Sequence, residues 1–200
     1  MGRPSMYSEH DVLEAASAVF GSGGPSALSI VAVARQLGAP SGSIYHRFAS
    51  RDQLVGTLWL RAVERFQEGC VAALSLDDPR EAARAAALFV LTWSRHNLDD
   101  ARLLLLHHSR DFIEGDWPPA LQAKNVQLRR ELDRSIRSLN TRLGAVSKGD
   151  QRRVLFAVVD IPYGAVRGPL RRGVAPETEL DAIVDDAVVA TIDGISRRST

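Results

Sequence analysis

The stretch LGAPSGSIYHRFASRDQL, Leu37 to Leu54, breaks a helical pattern with Gly38, Pro40 and Gly42. Upstream, Ser29 is suited to cap a short helix whose Ile30, Val33, Ala34 and Leu37 recur at helical spacing, and Gly38 supplies its end. Downstream, Ser41 to Phe48 has room for a third short helix. Ser50 with Gln53 then forms a capping-box pair for a long fourth helix, whose Leu54, Val55, Leu58, Trp59, Ala62, Val63, Phe66 and Cys70 keep helical spacing to about Leu76. The break is therefore a turn between two helices. Glycine enters the left-handed conformation without a Cβ penalty, and Pro40 carries a φ already suited to the next helix.

The same reading extends in both directions. Ser8 and Asp11 make a capping pair for a first helix with Val12, Leu13, Ala16, Val19 and Phe20 on one face, ended by the glycines before Pro25. Asp78-Pro79 restarts the chain into a fifth helix to about Asn97. Asp99 or Asp100 starts a sixth through Leu103 to Leu106, and Trp117-Pro118-Pro119 precedes a long seventh. After a connection from Gly144 to Gly149, an eighth helix begins near Val154, with a kink expected at Pro162 and an end at Gly168-Pro169. A ninth runs from about Glu177 with a stripe of Leu180, Ile183, Val184, Ala187, Val188, Thr191, Ile192 and Ile195. The expectation is an all-α chain of about nine helices. Residues 1–50 form a helix-turn-helix domain and residues 51–200 a larger helical domain.

Composition narrows the function classes. The 200 residues are 45% hydrophobic and 24% charged, an ordinary globular balance, with no apolar run long enough for a membrane span. Cys70 is the single cysteine, and the first residues lack the apolar core of a secretory signal, so a cytoplasmic protein is expected. The net charge is +1. Up to residue 60, Arg3, Arg35, Arg47 and Arg51 are balanced by Glu9, Asp11, Glu14 and Asp52, which argues against a nonspecific architectural DNA binder. No nucleophile with a base, metal box or phosphate-cradling loop is present to suggest an enzyme or a cofactor. His107 and His108 are adjacent, hence about 100° apart on a helix, and make no metal pair.

A helix-turn-helix that reads DNA needs a small residue for close helix approach, a turn residue at positive φ and apolar anchors. Ala34, Gly38, Val33, Leu37 and Ile44 meet these needs, with Ile44 and Phe48 pointing inward. Ser41, Gly42 and Ser43 allow close approach to the nucleic acid. Tyr45 can donate to phosphate, His46 can bond a base edge, and Arg47 can clamp phosphate or guanine. Arg51, near the start of the fourth helix, adds a phosphate contact, and Arg3 a minor-groove contact from an extended arm.

From the glycine-ended first helix through SIVAVARQLGAPSGSIYHRFASRDQLV, the sequence resembles the TetR family of transcriptional regulators. The resemblance implies that the third helix enters the major groove, and that Tyr45 and Arg51 contact phosphate. Ser41, Gly42, Ser43, His46 and Arg47 match the remaining recognition positions. Ser41 stands where a lysine is frequent, and Val31 and Ala32 where polar residues are common. Beyond residue 60 the resemblance is architectural. It implies an effector pocket among helices carrying Trp59, Phe66, Phe89, Trp93, His96, His107, Phe112 and Tyr163, filled by a small organic ligand. Reading palindromic double-stranded DNA requires a homodimer, expected through the eighth and ninth helices. The reading is a ligand-released repressor.

Overall fold

The computed structural model describes residues 7–107 and 117–196; Arg3, His108 and Phe112 lie outside them. Among the described residues there are nine helices and no strand. Helix α1 is Glu9–Gly23, and both halves of its capping box form: the Asp11 N–H donates to Ser8 Oγ at 3.1 Å, and the Ser8 N–H to Asp11 Oδ2 at 2.7 Å. These bonds hold the Asp11 carboxyl below its ordinary range. A 3-10 turn, Pro25–Ala27, leads to α2, Ile30–Leu37, capped by Ser29 Oγ.

Gly38 closes α2 at φ 69°, with its N–H on Arg35 O and the Ala39 N–H on Ala34 O, the paired bonds of a Schellman turn. Helix α3 is only Ser41–Tyr45, shorter than the sequence reading to Phe48. The chain has to leave the helix because Ser50 caps α4 from an extended conformation, while Phe48 turns inward to 2% exposure. In α4, Arg51–Leu74, Ser50 Oγ accepts from the Gln53 N–H; the Gln53 amide reaches the Ala49 N–H, so the capping box is only half formed.

Helix α5, Pro79–His96, is capped by Asp78, whose carboxylate accepts from the N–H groups of Arg80 and Glu81. Helix α6 is Leu98–Leu106 and α7 is Pro119–Arg142. Helix α8 spans 148–171 and departs from expectation at three points. It starts six residues before Val154 because Ser147 caps it through the Asp150 N–H. Pro162 has no N–H to donate, and the turn before it, Phe156–Asp160, widens to π geometry with the Ile161 N–H on Phe156 O. It also runs past Gly168-Pro169 to Arg171. Helix α9 is Glu179–Ser196.

Two hydrophobic cores result. In the first, Phe20, Leu28, Ile44, Phe48, Leu54 and Leu58 pack with Leu103 of α6. The second is built around α5, whose Ala82, Ala83, Ala86 and Ala87 are fully buried and let neighbouring helices approach closely. Val184, Val188, Ile192 and Ile195 of α9 fill this same core. Arginines of α5 fasten the antiparallel α9: Arg80 to Asp193, Arg84 to both oxygens of Asp185 at 2.7 and 2.8 Å, and Arg95 to Asp181. No helix among the described residues is long and apolar enough to cross a membrane.

The turn at Gly38 is open: a Cβ there would meet nothing within 4 Å. Gly38→Ala therefore meets only the left-handed backbone penalty. It is expected to cost about 1 kcal/mol, read as a lower urea midpoint with unchanged m value. A second expectation concerns acid. The hydrogen bond from Arg84 holds the Asp185 carboxyl below its ordinary value. Its stabilisation is complete above the unfolded-state value and is lost as pH falls through the folded one. Asp185→Asn should flatten the acid limb of a melting-temperature-against-pH curve; an unchanged limb would remove the pair from the stability account.

Candidate nucleic-acid interface

The surface of α2, the turn and α3 follows from what they bury. Val33, Ala34 and Ile44 point into the first core, at 0%, 3% and 0% exposure, which turns the opposite side of α3 outward. Gly42, Tyr45 and His46 are exposed there, with Tyr45 at 56%; Ser41, Ser43 and Arg47 are half-buried. From α2, Val31 and Arg35 are exposed as well. The side chains that the sequence singled out on α3 thus lie on one short element, held from beneath by Ile44 and Phe48.

Two contacts fix this element, and one was not legible in the sequence. Tyr7, just before α1, donates its hydroxyl to Gly38 O at 3.3 Å and accepts the Arg47 guanidinium on its carbonyl. One residue so links the turn to the exit of α3. Nothing in the periodicity marks Tyr7, because it precedes the helix. Arg51 donates Nε to Leu28 O at 2.8 Å and lies 3.5 Å from Asp52, so it ties the start of α4 to the loop before α2.

A second feature lies within the second core: a cavity of about 170 Å³. It is lined by Phe66, Cys70 and Leu74 of α4, Ala86 and Val90 of α5, Leu105 of α6, Leu132 and Ile136 of α7, and Val158, Val159 and Tyr163 of α8. Of the pocket residues drawn from the resemblance, Phe66 and Tyr163 line it. Phe89 and Trp93 stand behind Phe66, with ring centroids 5.6 and 5.0 Å from it. Phe89 crosses α4 at Gly69, where a Cβ would lie 2.3 Å from its ring. Trp59 packs on the first core, His96 is exposed with its ring on Thr92 O, and His107 meets Phe20 edge-on at 5.7 Å. The wall is largely aliphatic, and helical periodicity cannot separate a cavity wall from solid core. Burial pushes the Cys70 thiol up to about 11, so it is a neutral group in this wall. Among the described residues no cluster of His, Cys, Asp or Glu is placed to hold a metal ion.

Helices α4 and α6 join the two features. Asp100 of α6 is 5% exposed and accepts from Arg65 of α4 at 2.8 Å, while the other Arg65 nitrogen donates to Asn97. Burial raises the Asp100 carboxyl, with Arg65 and then Arg61 opposing it. Arg102 of α6 donates to Gly21 O at the end of α1, and Arg61 pairs with Glu14 at 2.7 Å.

Comparison with known proteins agrees with this geometry. Residues 12–58 match the sequence model of the bacterial regulatory proteins, tetR family. No curated protein sequence matches the chain. Among solved structures, a regulatory protein in the tetR family from Rhodococcus RHA1 superposes with a TM-score of 0.70 at 14% identity, covering 96% of this chain and 98% of that one. A putative tetR family regulator from Shewanella sp. PV-4 gives 0.67 at 21% identity, over 95% and 96%. The regulator PfmR from Thermus thermophilus gives 0.63 at 23%, over 93% and 97%. Residues 12–58 thus carry the N-terminal domain of the tetR family of bacterial regulatory proteins, and the chain as a whole has the fold of the TetR-family structures.

Proposed function

We propose that this regulator is a cytoplasmic homodimeric repressor that reads a palindromic operator and is released from it by a small organic effector. The observation that carries the reading is α3 with the turn that follows it: Ile44 and Phe48 anchor the segment, and Gly42, Tyr45 and His46 face outward. In this reading Ser41, Gly42 and Ser43 permit close approach to the major groove. Tyr45 donates to phosphate, His46 and Arg47 address base edges or phosphate, and Arg51 reaches the backbone from α4, with Arg3 in the adjoining minor groove. Arg47 and Arg51 also hold the reader together through Tyr7 and Leu28, so each has a structural share.

The dimer reading keeps Ile183 of the sequence stripe and adds exposed residues outside it. Val184, Val188, Ile192 and Ile195 belong to the chain's own core, whereas Ile183 and Val189 of α9 are exposed at 63% and 38%, and Phe156 and Val159 of α8 at 46% and 42%. Exposed apolar side chains on two adjoining helices suit a twofold, four-helix interface. Effector release uses α4. This helix of 24 residues, about 36 Å long, lines the cavity at one end and carries Arg51 at the other. A ligand that prefers the arrangement with the reading heads misplaced shifts the population away from DNA.

Two measurements test this. On the DNA that the protein binds best, Tyr45→Ala and His46→Ala should each weaken affinity roughly 5- to 100-fold with little change in melting temperature, because both side chains are exposed. Arg51→Ala should lower affinity and melting temperature together. Unchanged affinity in the first two variants would displace α3 as the reader. In solution, light scattering should give a dimer for the wild-type chain and a folded monomer for the double variant Val159→Asp, Ile183→Asp. A dimer that survives both charges sinks the α8/α9 interface.

A further inference from the structure

The chemistry of the cavity wall restricts what it can hold. Its eleven described lining residues include no charged side chain and no carboxamide; among them the Cys70 thiol and the Tyr163 phenol are the only polar side-chain groups. A carboxylate, phosphate or ammonium group entering here gives up its hydration and finds no counter-ion among the described lining residues, a cost that affinity does not recover. The ligand is therefore uncharged. Its number of hydrogen-bonding groups is small too, since each one left unpaired in an apolar wall opposes binding.

Size gives the second limit. Sites for drug-sized ligands measure ≈ 300–1,000 Å³, well above the 170 Å³ found here. An apolar cavity of ≈ 150 Å³ in another protein stays dry and takes up benzene. Phe66, Leu132, Ile136 and Val158 close this space from three different helices, so an extended acyl chain or a fused ring system does not fit without moving them. Such a cavity is also poorly served by water, because a water molecule needs two or more polar partners and the wall offers two widely different side-chain groups at most.

Accepting the cavity as the effector site of the proposed repressor, we infer that its ligand is an uncharged single-ring compound, an aromatic or alicyclic hydrocarbon or its monohydroxyl derivative. The position of the cavity makes its occupancy consequential. Val159 lines it and is at the same time an exposed residue of the α8 face, and it lies in the π turn that Pro162 imposes. Leu105 lines it from α6, the helix whose Leu103 belongs to the first core.

The test uses the full chain and four probes: xenon, toluene, benzoate and hexadecanoate. Xenon and toluene should bind the wild-type protein, and toluene at ten times its Kd should raise the melting temperature by roughly 3–6 °C. Benzoate and hexadecanoate should leave it unchanged. Ala86→Leu fills the cavity and should abolish both xenon and toluene binding; Cys70→Leu serves the same purpose if the first variant does not fold. The ligand class is overturned if benzoate or hexadecanoate binds as tightly as toluene, or if toluene binding persists in a filled variant. DNA affinity is read separately. Toluene that binds in the cavity yet leaves DNA affinity unchanged supports the ligand class while defeating effector release by this site. A charged compound that releases DNA from the wild-type protein but not from Ala86→Leu does the reverse.

Discussion

Leu54, Leu58 and Ala62 of α4 are buried in the first core, and one to three turns further on Phe66, Cys70 and Leu74 border the cavity of the second. One rigid helix thus has to satisfy two packings at once. Close-packed interiors do not deform continuously, so a change in one core is passed to the other as a displacement of the whole helix or is not passed at all. The position of the reading head depends on this constraint, because Arg51 begins α4 and its Nε bond to Leu28 O ties the helix to the loop before α2.

Helix α6 makes the constraint stronger. Asp100 is nearly inaccessible; burial raises its carboxyl, and Arg65, which donates to it, opposes that shift. Losing Arg65 would leave the buried Asp100 carboxyl without its partner, which penalises any arrangement that separates α4 from α6. Arg102 on Gly21 O and the edge-on contact of His107 with Phe20 connect the same helix to α1. The two hydrophobic cores are therefore joined by side-chain contacts as well as by the continuous helix, and release as proposed depends on these contacts moving together.

Much of the fold could be read from local chemistry. Ser8 with Asp11, Ser29, Gly38, Ser50 and Asp78 each act at the helix end that their side chains or backbone freedom suggest, because capping is decided within four residues of sequence. Features set by tertiary packing were less legible. Ser147 with Asp150 is a cap of the same kind, hidden among glycines that read as a loop. Pro162 was expected to kink a helix, yet the chain absorbs its missing donor as a π turn. The stripe on α9 was correctly apolar, but periodicity cannot say whether an apolar face meets its own chain or a partner; most of it meets α5 and α8, leaving Ile183 exposed, as is Val189, which the stripe does not include. On α3 the exposure of the candidate residues was legible because burial of Ile44 leaves a short element few alternatives. The cavity wall was mostly missed because aliphatic residues there look like any other core.

The central claim is that two copies of this chain read DNA through α3. It is tested most directly by selecting bound sequences from a random duplex pool with the full-length protein at fixed salt. The account expects a palindrome whose half-sites lie one helical turn, or a whole number of turns, apart. A pool that converges on no palindrome, with random DNA bound as tightly as the survivors, would contradict it.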